Sequence, residues 1–270
     1  SVTSYILGHA MCDGYVGSID DRINDWPLLS NTLYENQKLI DFLNMSVGDQ
    51  KYINEFKHGT TGHPLADLKY EYETNDIFST IGLFFKNSEK SKSYYNYNGF
   101  ITQLLFNYIK HKTGEDFQKL LNKVFQDKVK VKYSVRFGKI RNISDNLGNW
   151  HPMVWMTRFD YLRLAKAIMD DYQNDTCVGK YLKTIYENRI DKKKDKYSKF
   201  IGNHAATQSY GGQFHFDPIG IEKRPILMMD GFAGQQVVID FNKSKIITVH
   251  STDAHYDWYS LVYLQLKTDL

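Results

Sequence analysis

The chain has 270 residues, of which 42% are hydrophobic and 24% charged, with a formal net charge of +3. Those proportions exclude general disorder, and the length is enough to bury a large core. The charge is too mild to imply nucleic acid as a partner, because the densest basic run, Asp191 to Lys196, is interleaved with acids and reads as a solvated turn.

Ser1 to Gly14 reads as a buried helix, with Tyr5, Ile6, Leu7, Ala10 and Met11 near a 3.6 period and Asp13-Gly14 as its stop. It lacks a polar lead-in or targeting segment, so residues are expected to precede Ser1; a cap by Ser1 or Ser4 is the simpler alternative. Gln37 to Asn44 is a compact amphipathic helix broken by Met45 to Asp49, and residues 50 to 75 form a long polar surface excursion. Asp76 to Phe85 is helical in character. Phe100 to Lys112 is a strong helix ended by Thr113-Gly114, and Glu115 to Gln126 is another. Trp155 to Tyr172 is helical, with Thr157 and Asp160 as a capping box, and a further helix runs from about Gly179 to Arg189.

The pattern then changes to short β-rich runs at Gln208 to Phe216, Ile226 to Met229, Gln236 to Phe241 and Lys245 to His250, with a hairpin connection at Phe241 to Lys245. An amphipathic helix, Ala254 to Leu266, closes the chain. Helices first and consecutive strands after them indicate an α+β fold with an antiparallel sheet. The whole of 1–270 reads as one domain, a mostly helical lobe over 1–200 followed by the strands and terminal helix of 201–270. With only three or four strands visible, a preceding N-terminal hairpin would complete the sheet.

Several chemistries find no support. Cys12 and Cys177 have neither zinc spacing nor a CxxC motif; a small buried thiol on the opening helix and a disulfide between the two are both open, which leaves the compartment open. No apolar run reaches the roughly 18 residues of a membrane span. His151, His204, His215, His250 and His255 form no HxxxH or HxH pair, so no metal or other cofactor is expected. Ser46 and Ser209 lack the Gly-x-Ser-x-Gly context of an α/β-hydrolase elbow.

Three stretches, in this order, carry a resemblance: Ser1–Tyr15, with the Asp20-Asp21, Trp26-Pro27 and Leu39–Gly48 segments after it; Tyr97 ahead of Leu104-Leu105 and Thr113-Gly114; and Gly231-Phe232-Ala233-Gly234-Gln235. Over nearly its whole length the chain resembles the serine β-lactamase and penicillin-binding-protein superfamily, in particular its esterase and 6-aminohexanoate-dimer-hydrolase-like branch. The resemblance implies a β-lactamase/transpeptidase-like α+β fold, an antiparallel sheet flanked by helices plus an all-helical lobe. Ser1–Tyr15 matches the stretch immediately after the family's Ser-x-x-Lys motif, which places the nucleophilic Ser and the Lys before Ser1. Reading Ser1-x-x-Ser4 as that motif with the Lys lost puts Gly8 and Asp13-Gly14 three residues out of pattern. Met156 to Asp160 resembles a scaffold helix start of the family.

Counting back from Leu104-Leu105 and Thr113-Gly114 puts the family's motif tyrosine at Tyr97; Tyr94-x-Asn96 matches Tyr-x-Asn literally but out of register. Gly99 then stands where the family has Asn or Ser, and Phe232 replaces a cation or imidazole. The implied chemistry is acyl transfer, with Tyr97 as proton shuttle, the Gln235 backbone N–H as an oxyanion donor, and Gly99, Phe232, Ala233 and Gly234 against the substrate. Lacking Lys-Thr-Gly, the chain is expected to be an esterase or amidase acting on a small molecule, in a periplasmic or secreted setting if it follows the family. A non-catalytic binding or scaffold protein of the same fold is the alternative, motivated by Phe232 and Gly99.

Overall fold

The computed structural model describes residues 1–52, 77–139, 150–192, 206–231, 234–253 and 256–268. The chain forms two compact units, one of residues 1–12, 118–135 and 156–270, the other of 13–117 and 136–155.

In the first unit, helix α1 (Val2–Cys12) is buried along most of its length. Gly8 lets the Tyr181 ring lie directly on it, since a Cβ there would sit 2.7 Å from Tyr181 Cδ1. One turn earlier, Ser4 Oγ and Tyr181 Oη share a hydrogen bond of 2.8 Å. Tyr181 belongs to α7 (Cys177–Glu187), which follows α6 (Arg158–Gln173) after a short turn. Beneath α1, the buried Asp171 carboxylate accepts from Tyr5 Oη at 2.7 Å, Thr176 Oγ1 at 2.7 Å and Lys128 Nζ at 2.5 Å. Burial first, and Asp171 second, raise the Tyr5 phenol well above its ordinary range, so it stays a donor. Cys12 and Cys177 are joined in a disulfide with a Cα–Cα distance of 5.9 Å, which settles the alternative the spacing left open.

The sheet is a six-stranded antiparallel meander in sequence order: β3 (Ile190–Asp191), β4 (Thr207–Gly211), β5 (Phe214–Pro218), β6 (Ile226–Gly231), β7 (Gln235–Asp240) and β8 (Lys245–Val249). The run expected as one strand at Gln208–Phe216 is two strands, turned at Gly212 and Gln213 with φ of 55° and 63°. Helix α8 (Trp258–Lys267) lays Trp258, Val262 and Leu266 on Ile226, Met228 and Val238. Helix α6 packs on β7 and β8. All five residues of β8 are half-buried, and among the described residues no further strand pairs with its outer edge.

The expected capping box opens α6 in modified form. Thr157 Oγ1 accepts from Asp160 N at 3.2 Å, but the Asp160 carboxylate turns away to cap the preceding chain. It accepts from Lys132 N at 2.9 Å, Tyr133 N at 3.3 Å, Thr157 Oγ1 at 2.9 Å and Arg163 Nη1 at 2.8 Å. Burial pushes this carboxyl up, but the four donors outweigh it and hold the group below the usual carboxylate range. A depressed folded value means that Asp160 contributes stability above the ordinary carboxylate range and loses it as pH falls through the folded value. Asp160→Ala is expected to cost about 2–3 kcal/mol at pH 7, and less below pH 4. Urea unfolding of both proteins at the two pH values checks this.

In the second unit, α2 (Leu39–Leu43), α3 (Ile77–Thr80, continued by a π turn to Phe85) and α4 (Gly99–Thr113) enclose an aromatic cluster. Phe85 and Phe100 stack at 5.3 Å, and Tyr34 lies 5.1 Å from Phe85 and 5.9 Å from Phe42. Gly114 ends α4 as expected, with φ of 52° and its N–H on the Lys110 carbonyl. Residues Glu115 to Gln126, of which those from Gln118 on belong to the first unit, are a 3-10 turn, a short α5 (Phe117–Asn122) and a π turn, where one continuous helix was expected. This unit also holds an antiparallel pair, β1 (Arg136–Lys139) with β2 (Trp150–Trp155), bulged between Phe137 and Gly138. The helix expected from Trp155 accordingly starts at Arg158.

Candidate active site

Tyr97 lies on the extended segment that leads into α4, half-buried. Two chain segments position it. Ser91 N donates to Gly48 O and Asn96 N to Met45 O, each at 2.8 Å, so 91–96 is zipped onto the turn after α2. Gly48 is needed there: its φ is 80°, and a Cβ would come within 2.5 Å of the Ser91 carbonyl oxygen. The residue after Tyr97, Asn98, is fully buried and caps α4, its side chain accepting from Ile101 N at 2.9 Å. Gly99 is the first residue of that helix.

Asp49, which sequence reasoning passed over, closes this arrangement. Its carboxylate accepts from Asn98 Nδ2 at 3.1 Å and from Asn96 Nδ2 and Tyr34 Oη at 3.3 Å each. Burial pushes the Asp49 carboxyl up to about 6, against the downward pull of those three donors. The available signal was an acid directly after Gly48 at the end of an apolar helix.

In the first unit, Gly231 and Gln235 are the closing pair of the β6–β7 hairpin. Gly234 has φ of 78°, the left-handed conformation that a three-residue hairpin loop demands, so turn geometry by itself accounts for a glycine there. A Cβ at Gly234 would lie 3.3 Å from Asp253 O and 3.6 Å from Trp258 Cδ1. Phe232 and Ala233 lie outside the described residues, as do His204, His255 and nearly all of the 50–75 excursion. Behind the hairpin, Gln236 Nε2 donates to Asp230 Oδ1 at 3.0 Å.

Lys192 departs from the solvated turn expected of its run. Its ammonium donates to Thr207 Oγ1 and, at 3.2 Å, to Nδ1 of the buried His215. Desolvation lowers it to about 7, with Asp230 pulling the other way. Neither Ser1 nor Ser4 is set up as a nucleophile. Ser1 Oγ donates to Gln213 O at 3.0 Å, and Ser4 is fully buried on Tyr181. Among the described residues no group of His, Cys, Asp or Glu is arranged to hold a metal, and no helix is long and apolar enough to cross a membrane.

The six-stranded meander, with α8 laid on it and α1 joined to α7, can be compared with solved structures. A Bacillus anthracis protein provisionally assigned as a 6-aminohexanoate-dimer hydrolase matches with a TM-score of 0.65 at 14% identity, over 98% of this chain and 70% of that one. A Bacteroides dorei protein provisionally assigned as a β-lactamase matches with a TM-score of 0.61 at 13% identity, over 98% of this chain and 82% of that one. The chain shares the β-lactamase-like fold of these two structures. No family model matches the chain, and no curated protein matches it. In this β-lactamase-like fold, Tyr97, Asn98 and Gly99 stand together in one unit, and Gly231, Gly234 and Gln235 together in the other.

Proposed function

We propose that the chain acts as a serine hydrolase that cleaves an ester or amide bond of a small molecule through an acyl-enzyme. The nucleophilic Ser and its Lys are assigned to residues preceding Ser1. Tyr97 is the proton-transfer group, the Gln235 backbone N–H is an oxyanion donor, and Gly99, Phe232, Ala233 and Gly234 contact substrate. The observation that carries this reading is the anchoring of Tyr97 directly ahead of α4, between two asparagines tied to one buried carboxylate, in a β-lactamase-like fold. A serine hydroxyl needs an adjacent proton acceptor to attack a carbonyl near neutral pH, and a tyrosine coupled to a lysine is such a system. The Cys12–Cys177 disulfide supports an oxidising compartment.

The alternative, a binding or scaffold protein that retains the fold, draws on Asn98. Its side chain is engaged in capping and with Asp49, and the next residue, Gly99, has no polar side chain. Stopped-flow hydrolysis of a chromogenic short-chain ester, with the protein extended upstream of Ser1, separates the two. The hydrolase reading expects a burst equal to the enzyme concentration and a mass increase of one acyl group. Neither signal is expected of a scaffold.

A further inference from the structure

Asp49 has no role in acyl transfer as proposed, yet it holds the residues on both sides of Tyr97. It is 0% exposed, and Asn96, Asn98 and Tyr34 all direct donors at its carboxylate. Tyr34 is itself wedged against Phe42, Phe85 and Phe100, so the carboxylate has a rigid wall on that side. We propose that Asp49 is a positioning residue for the reaction: its carboxylate holds the Tyr97 phenol in place through Asn96 and Asn98, and its protonation releases that hold. The proposal rests on the catalytic reading of Tyr97.

A carboxylate is acceptor-only and can serve three donors at once, whereas the protonated acid must point its own O–H at one of them and lose that bond. Among the described residues, Tyr34 is the titratable group that faces Asp49. Burial first, and Asp49 second, keep its phenol protonated far above the ordinary range, so it donates at every working pH. Lys90, whose stem packs at Gly48, has its ammonium on Gln37 Oε1 at 2.7 Å. The charge change that matters here is therefore that of Asp49, whose folded value of about 6 lies above its ordinary one. A carboxyl raised in this way contributes stability at low pH and loses it as pH rises through the folded value. Acidification through pH 6 thus favours the folded chain at this site while loosening the Tyr97 loop.

The test uses Asp49→Asn and Asn96→Ala in the chain extended upstream of Ser1, with Tyr97→Phe as reference. Ester kcat and KM are measured from pH 4.5 to 8, with hydrogen exchange of segment 91–101. At pH 7.5, Asp49→Asn is expected to lower kcat by about 10-fold or more, with KM within about 2-fold. The ratio of wild-type to variant kcat falls toward one below pH 6, and exchange in 91–101 is faster in the variant at pH 7.5 only. Should Asp49→Asn not fold, Asn96→Ala leaves the α4 cap intact and is expected to show a smaller kcat loss with the same pH convergence. An inactive Tyr97→Phe beside a fully active Asp49→Asn overturns the positioning role alone, as does a loss that stays constant across pH. A fully active Tyr97→Phe overturns the role of Tyr97 and this proposal with it.

Discussion

Tyr97→Phe is expected to lower kcat for ester hydrolysis by roughly 10²-fold or more, the usual range for removing a general acid–base group. The substitution removes one hydroxyl and keeps the ring. The loop around it is held by backbone bonds from Ser91 and Asn96 and by the two asparagine side chains, none of which needs the phenol oxygen. KM is therefore expected to stay within a few-fold, since the lost interaction belongs to the transition state and not to ground-state binding. Steady-state kinetics with a matched thermal melt checks this. An unchanged rate with an unchanged melt removes Tyr97 from the mechanism.

The second large effect is on stability. The Cys12–Cys177 bridge closes a loop of 165 residues and fixes the end of α1 to the start of α7. On the chain-entropy account, opening a loop of that length costs about 5 kcal/mol, with measured losses for native bridges of about 2–5 kcal/mol. Cys12→Ser with Cys177→Ser is accordingly expected to lower the melting temperature by roughly 10 °C for a chain of this size. Calorimetry of the double variant, and of the native protein with and without reductant, measures it. A melt unmoved by both would mean that the α1–α7 contact is held by Gly8, Ser4 and Tyr181 alone.

The main helices and most strands of the six-stranded sheet were legible because apolar period is written directly in the sequence, whereas β1 and β2, which precede α6, were not. Phe100–Ile109 and the Val237–Ile239 run needed no tertiary information to be read. The pairs that depend on tertiary context were harder. β1 has only four residues and is bulged between Phe137 and Gly138, so it shows no clean alternation, and β2 carries Pro152 within its run. Gly212 and Gln213 split a single β-rich run because only the turn conformation, not residue type, marks a Gln at positive φ. Around Tyr97, motif register singled out a candidate, but the support of its flanking asparagines comes from Asp49, 48 positions upstream; Asp49 and Asn98 are a hydrogen-bonded pair separated by 49 residues. No local pattern encodes such a pair. Lys192 departs from the expected solvated turn for the same reason, because its partners Thr207 and His215 come from later strands. At Gly234, placed against the substrate by the resemblance, the positive φ within the hairpin is a sufficient local reason for a glycine.

Covalent labelling tests the central claim most directly. The protein, with the residues to which the nucleophilic Ser and Lys are assigned in the proposal, is treated with a fluorophosphonate and the modified residue is mapped by mass spectrometry. One labelled serine, within a few residues before Ser1 and blocked by prior incubation with an ester substrate, is the predicted result. Absence of label, or a label on Ser1 or Ser4, contradicts the acyl-transfer account.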